Sequence, residues 1–332
     1  MRRREFITLV GGAAVWPLAA RAQPTMKRIA IVHPSINVGE LSITSEHQGY
    51  RTLFEELSRL GYTEGQTLVV ERYSGEGRID HYADLARDVV RTNPDLIIAI
   101  VDPLAVRFKE ATTTIPLVTV TGDPVALGLM TSLARPGGNI TGISADAGQD
   151  IWGKRLALLL EATPKSSNAR FLCLRSVWEM ATGEAVRKAA KQLAISLAGT
   201  VLDGTLDEGQ IRRVFTTMGQ DRVDALMVSD SAELFPFRQL IVELAAKARI
   251  PAIYSHRYFV EPGGLMTYAV DLADMYSHVA SQIDKILKGA NPGDIPIYRA
   301  TRYEFIINLK TAKALGLELP TTLVGRADDV IE

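Results

Sequence analysis

The chain has 332 residues, with 37 Lys and Arg against 38 Asp and Glu and a formal net charge of −1. That length accommodates two α/β lobes with separate cores, and the near-neutral balance without a basic run removes the footprint of a nucleic-acid binder. Cys173 is the single cysteine, so no intramolecular disulfide is available, and Gly plus Pro is too scarce for a disordered chain.

Residues 1–22 read as an export signal. Arg2-Arg3-Arg4 forms a basic head, Phe6–Ala19 an apolar and small-residue stretch, and Ala20-Arg21-Ala22 a cleavage site before Gln23. The Arg3-Arg4-Glu5-Phe6-Ile7 order fits the twin-arginine route, with an ordinary secretory signal or an uncleaved anchor as the plainer alternatives. Its removal takes away four arginines and one glutamate and leaves a net charge of about −4. No later apolar stretch is long enough for a bilayer, and no cysteine stands directly after the cleavage site to carry a lipid. The mature protein is expected to be soluble and periplasmic.

Arg28–Val32 predicts a first buried strand, ended by His33-Pro34-Ser35. Glu46–Leu60 has helical apolar spacing through Tyr50, Leu53, Phe54, Leu57 and Leu60, and Gly61 stops it. Strands at Thr67–Tyr73, Leu96–Val101 and Pro116–Thr121 alternate with helices at Ile79–Arg91 and Leu104–Ala111. After the Arg135–Asn139 turn, Ile140–Ser144 leads into a second series. Its helices fall at Ile151–Glu161, Ala181–Leu193, Asp207–Met218 and Leu234–Lys247, and its strands at Ala169–Leu174, Gly199–Leu202, Ala225–Ser229 and Pro251–Tyr254. Past Pro262-Gly263-Gly264 come a strand at Leu265–Val270, a helix at Leu272–Leu287, a strand at Arg302–Asn308 and a short helix at Lys310–Gly316. This alternation is the mark of parallel sheets covered by helices on both faces, hence an α/β fold of two doubly wound lobes.

In open α/β sheets the ligand crevice lies outside the carboxyl ends of the strands. His33, Asp102 and Asp123 stand there beside prolines, and Asp230 and Asp271 occupy comparable places in the second half. Each of these aspartates precedes a helical run and suits an N-cap. A cap at that end already faces a cleft, where it can also hold a ligand ammonium, while helix-start N–H groups hold a carboxylate. Ser35, Thr121 and Arg175 suit a ligand carboxylate. Trp178, Tyr254, His256 and Tyr268 suit an aromatic body, or plain packing. The chain shows no dinucleotide or P-loop glycine spacing, no nucleophile elbow and no His/Cys metal spacing. Neither a catalytic residue nor a metal nor a cofactor is therefore expected.

Four stretches together resemble one family: MRRREFITLVGGAAVWPLAARAQ, TTTIPLVTVTGDPVALGLMTSLARPGGNITGIS, IPAIYSHRYFVEPGGLMTYAVDL, and the tail EFIINLKTAKALGLELPTTLVGRADDVIE. The family is that of ABC-transporter substrate-binding proteins related to tryptophan-binding transport proteins. The resemblance implies a type I periplasmic-binding-protein fold, two lobes joined by three crossings. It puts 27–140 with 264–298 in lobe 1 and 141–262 with 299–332 in lobe 2, after the signal at 1–22. It further implies a monomer that closes on an aromatic or other small amino acid, or a related carboxylate, and docks on an ABC permease with its ATPase. Thr121-Gly122-Asp123-Pro124 matches the family's first-lobe ligand loop, and Tyr254 and Tyr268–Asp271 match segments bordering the cleft. Arg175–Glu179 departs from the Asn-Pro-Asn-rich loop that relatives carry there, so the ligand class is expected to turn on it. An exported α/β enzyme and a sensing module for a membrane receptor are the competing expectations.

Overall fold

A computed structural model describes residues 26–145 and 148–332, so the export signal expected over 1–22 lies outside the described residues. In chain order the first elements are β1 (Lys27–His33), α1 (Gln48–Arg59), β2 (Leu68–Ser74), α2 (Tyr82–Arg91), β3 (Leu96–Ile100), α3 (Asp102–Ala111), β4 (Leu117–Thr121) and β5 (Ile140–Ser144). Next come α4 (Asp150–Ala162), β6 (Asn168–Leu174), α5 (Arg175–Glu179), α6 (Ala181–Gln192), β7 (Ser196–Leu202), α7 (Glu208–Gln220), β8 (Ala225–Val228), α8 (Arg238–Lys247) and β9 (Ala252–Tyr254). The last are β10 (Met266–Val270), α9 (Leu272–Leu287), β11 (Tyr298–Arg299), β12 (Tyr303–Asn308), α10 (Leu309–Leu315), α11 (Thr321–Val324) and β13 (Asp329–Ile331).

Among the described residues these strands make two sheets, ordered β11-β5-β4-β3-β1-β2 and β13-β12-β10-β9-β8-β6-β7. Every pairing is parallel except β10 with β12. The central strands are apolar on both sides because both faces are covered. Lys27–His33 and Leu96–Ile100 send Ile29, Ile31 and Ile98 into one core with α1 and α9, and Ala30, Val32 and Ile97 into the other with α2 and α3. The second sheet is sandwiched in the same way, Phe171 and Met227 on one side and Leu172 and Leu226 on the other.

The crossings differ from those expected. Ile140–Ser144 pairs along β4 from Leu117↔Ile140 to Thr121↔Ser144, so it is part of the first sheet and does not open the second lobe. Leu265–Val270, expected in lobe 1, contributes β10 to the second sheet, where Met266 faces Ile253 and Ile307. The lobes are thus 27–144 with 272–299 and 150–270 with 303–331, and the chain crosses near Ala145, Asp271 and Thr301. The physical reason is that both Gly-rich turns are tied to their own lobe. Gly137 N–H donates to Gly293 O at 3.1 Å, and Thr311 Oγ1 donates to Gly263 O at 2.7 Å. A glycine turn and a lobe crossing use the same residues. Gly142 is needed for a different reason. Its φ of +148° and a Cβ position only 2.0 Å from Thr119 O leave no room for a side chain in β5.

Candidate ligand cleft

A cavity of about 450 Å³ lies between the lobes, at the carboxyl ends of the strands, within the range of small-ligand sites. Lobe 1 lines it with Ile36, Ile79, Ile100, Val101, Val120 and Met275, among which stand His33, Asp102 and Thr121. Lobe 2 answers with Ser176 and Val177 of α5 and with the strand-end segments carrying Asp230, Glu233, Phe235, His256 and Tyr258.

The lobe 1 wall is held by backbone geometry. Val101 takes φ +70°, a left-handed conformation costly for a β-branched residue, while its N–H donates to Val120 O at 2.8 Å. This kink turns β3 abruptly into α3 and brings Asp102 against the β4 loop, where Asp102 Oδ1 accepts from Gly122 N–H at 2.8 Å. Thr121 is 2% exposed, lines the cavity, and its Oγ1 has no partner among the described residues. An unpaired buried hydroxyl is costly unless a ligand or water completes it. His33 Nδ1 accepts two backbone N–H bonds, from Ser35 at 3.1 Å and Ile36 at 2.8 Å. Its proton therefore sits on Nε2. Burial and the neighbouring His47 hold its pKa well below the ordinary histidine value, so the ring is neutral.

Lobe 2 supplies buried charge. The Asp230 carboxylate has free surface towards the cavity yet is enclosed by protein, and enclosure raises its pKa against the pull of Arg155. Glu233 is raised by burial too. Arg155, on α4 behind this wall, is 3% exposed. Its Nε donates to Tyr268 O at 2.8 Å and its Nη2 to Ser255 O at 3.4 Å, and its guanidinium lies 4.6 Å from the Trp152 ring. Burial lowers its pKa to about 10, which still leaves it charged, and Asp230 is its first electrostatic support.

Aromatic rings join the lobes. His47 of lobe 1 stands 5.6 Å from Tyr258 and 6.0 Å from Phe235 of lobe 2, and 4.9 Å from Tyr50. His256 stacks on Tyr258 at 4.7 Å. Burial takes His47 down to about 4 and His256 to about 3, so both are neutral over most of the pH range. His47, Phe235 and Tyr258 also wall a second cavity of about 400 Å³ that carries Arg51, Arg238, Glu46 and Glu261. Ser35 Oγ donates across the cleft to Ala232 O at 2.9 Å, and Arg238 lies 3.5 Å from Glu46. The lobes are closed on each other.

A family model described as ABC transporter substrate binding protein matches residues 36–331. The chain belongs to that family. A tyrosine-binding protein from Clostridioides difficile (strain R20291) is 25% identical over 290 residues, which is 87% of this chain and 79% of that one. An ABC domain in complex with L-Trp from Streptococcus pneumonia is 23% identical with a TM-score of 0.79, over 92% of this chain and 100% of that one. The ligand-free, open structure of a substrate binding protein with adhesive properties from Clostridium difficile is 21% identical, with a TM-score of 0.63 over 92% of this chain and 99% of that one. The two parallel-sheet lobes are those of type I periplasmic binding proteins.

Of the twelve residues expected at the site, His33, Asp102, Thr121, Asp230 and His256 line the cavity. The other seven lie outside its lining. Ser35 makes the cross-lobe bond just described. Asp123 is exposed and accepts from the Val125 and Ala126 N–H groups, both at 3.0 Å, as a turn cap. Arg175 is exposed and forks onto Asp203 at 2.7 and 2.8 Å. Trp178 fills the space over Gly199 beneath the Arg187 guanidinium. Tyr254 is buried against Phe259, ring to ring at 5.1 Å, and Tyr268 stacks on Tyr303 at 5.7 Å. Asp271 caps α9 by accepting from Asp274 N–H at 3.0 Å. The Arg175–Glu179 segment does reach the cleft, through Ser176 and Val177.

Arg155, Glu233, Phe235, Tyr258, Tyr276 and His47 were not singled out by their positions in the sequence. Arg155 carried one signal, a lone cation on the otherwise apolar inner face of α4. Tyr276 looks like an ordinary core residue of α9. Among the described residues no group of three or more His, Cys, Asp or Glu is placed to hold a metal, and no helix is long and apolar enough to cross a membrane.

Proposed function

We propose that this chain is the extracytoplasmic binding component of an ABC importer, taking a small ligand that joins an ammonium to an apolar or aromatic body. The observation that carries the reading is the two-lobed cavity. Its aliphatic wall, aromatic seam and three carboxylates suit one amphipathic molecule with a positive end. The tyrosine-binding relative and the L-Trp complex point to the same size and shape of ligand. A likeness stronger to the L-Trp complex than to the open, ligand-free chain is in keeping with a closed cleft.

In this reading the mature chain is periplasmic and monomeric, meets a permease and its ATPase through its lobe surfaces, and converts nothing. The crossings near Ala145, Asp271 and Thr301 act as hinge, and closure around the ligand is the signal passed to the permease. A thermal-shift screen of amino acids, aromatic amines and small acids tests it. A ligand at about a hundred times its Kd adds about 2.7 kcal/mol of stability, several degrees of melting temperature. Turnover of any stabilising compound would overturn the transport reading.

A further inference from the structure

The cavity is one-sided in charge. Asp102, Asp230 and Glu233 line it, and among the described residues no lysine or arginine does. Arg155 supports Asp230 from behind the wall and is not itself part of the lining. The three lining histidines are buried and neutral, and supply no positive charge.

A ligand carboxylate would look for N–H groups where β4 and the start of α3 meet. That place is already taken. Asp102 is the first residue of α3, and its own carboxylate accepts from Gly122 N–H at 2.8 Å. A second carboxylate would face it in a low-dielectric cavity, where like charges repel strongly. The unpartnered Thr121 hydroxyl, 2% exposed beside Gly122, is left as an acceptor for an ammonium or a donor to a neutral oxygen. Closure also brings the Asp102 carboxylate of lobe 1 to the same cavity as Asp230 and Glu233 of lobe 2, where a ligand cation can meet carboxylates from both lobes.

We propose that the site selects an organic cation lacking a carboxylate, an amine on an aromatic or apolar body, with Asp102, Asp230 and Glu233 as its counter-charge. This inference rests on the transport reading above and narrows its ligand class.

Isothermal titration of the mature chain with matched pairs decides it: tryptamine against L-tryptophan, tyramine against L-tyrosine, and indole-3-acetate as the acid alone. The amine of at least one pair is expected to bind about tenfold more tightly than its amino acid or better, with no binding of the acid. Asp102→Ser frees the Gly122 N–H and removes the like charge, so it should narrow that gap about tenfold. Should that variant fail to fold, Glu233→Gln should weaken the amine and leave the amino acid little changed. Amino acids that bind as tightly as their amines, or an acid that binds, overturn the cation preference and leave the importer reading standing. Silence from every member of the panel overturns the aromatic-body reading and the cation preference together.

Discussion

The two walls of the cleft are built on the same plan and do different work. Lobe 1 offers a largely apolar wall around His33, Asp102 and Thr121, shaped by the Val101 kink and by the fit of α1 on α9. Lobe 2 offers Asp230, Glu233 and His256, with Arg155 held behind them. On the proposed function, lobe 1 sets the shape of the ligand's body. Lobe 2 carries most of the charge, and it can do so because α4 brings a buried cation within reach. The difference shows that two lobes of one architecture need not share a site equally.

Removing that cation is the severest test. Arg155→Met keeps the volume of the side chain but removes the positive charge that acts on Asp230 and leaves the Tyr268 and Ser255 carbonyls without their donor. Leaving a buried carbonyl acceptor without its donor typically costs about 1–3 kcal/mol. Urea unfolding should show a loss of that size, together with weaker ligand binding. A loss under about 1 kcal/mol would mean that the lobe 2 wall does not depend on this charge.

Acid tests the seam between the walls. His47 and His256 are neutral and buried, and their folded pKa values lie below the unfolded value of 6.5. The unfolded chain therefore binds the proton first, and stability falls as the pH drops below about 6.5. With His47 at about 4, this single group should remove about 2 kcal/mol by pH 5. Asp230 and Glu233 act with the opposite sign, because their raised folded values favour the native state on acidification. Arg51 and Arg238 disfavour a proton on His47 further. Melting from pH 7 to pH 5 should show a steep decline that His47→Gln reduces.

The fold was legible because buried parallel strands leave short apolar runs and their helices leave periodic ones. Arg28–Val32, Leu96–Val101 and Ala225–Ser229 needed no tertiary information to be placed. The lobe to which a strand belongs was not legible. Ile140–Ser144 and Leu265–Val270 read alike, and only pairing with β4 or β9 separates them. The site was half legible for a related reason. Residues that end a strand are found by position, which brought out His33, Asp102, Thr121 and Asp230. Side chains that reach the cleft from helices or from the far side of a loop, such as Tyr276, Phe235 and His47, look like core until the lobes are set against each other. Arg175 shows the converse. A cation at a strand end suggested a ligand carboxylate, but Asp203 on the neighbouring strand end satisfies it in solvent. Arg175→Ala should leave ligand affinity unchanged, since an exposed pair does not shape the cavity.

The finest comparison lies within one loop. Thr121 and Asp123 are two residues apart and both were candidates for the ligand. Thr121 is buried, lines the cavity and has a hydroxyl without a partner among the described residues, whereas Asp123 is exposed and already accepts two backbone N–H bonds. Thr121→Val removes a hydroxyl at nearly constant shape, so the folded chain should keep its stability while ligand affinity falls by about 1 kcal/mol, roughly fivefold. Asp123→Ala removes a turn cap, so the melting temperature should fall by an amount equivalent to about 1 kcal/mol while affinity stays where it was. The pair separates binding from folding only if each variant moves one quantity. Weakened binding in Asp123→Ala at unchanged stability would put this carboxylate on the ligand, and the cleft would then have to reach further along the β4 loop than its closed walls do.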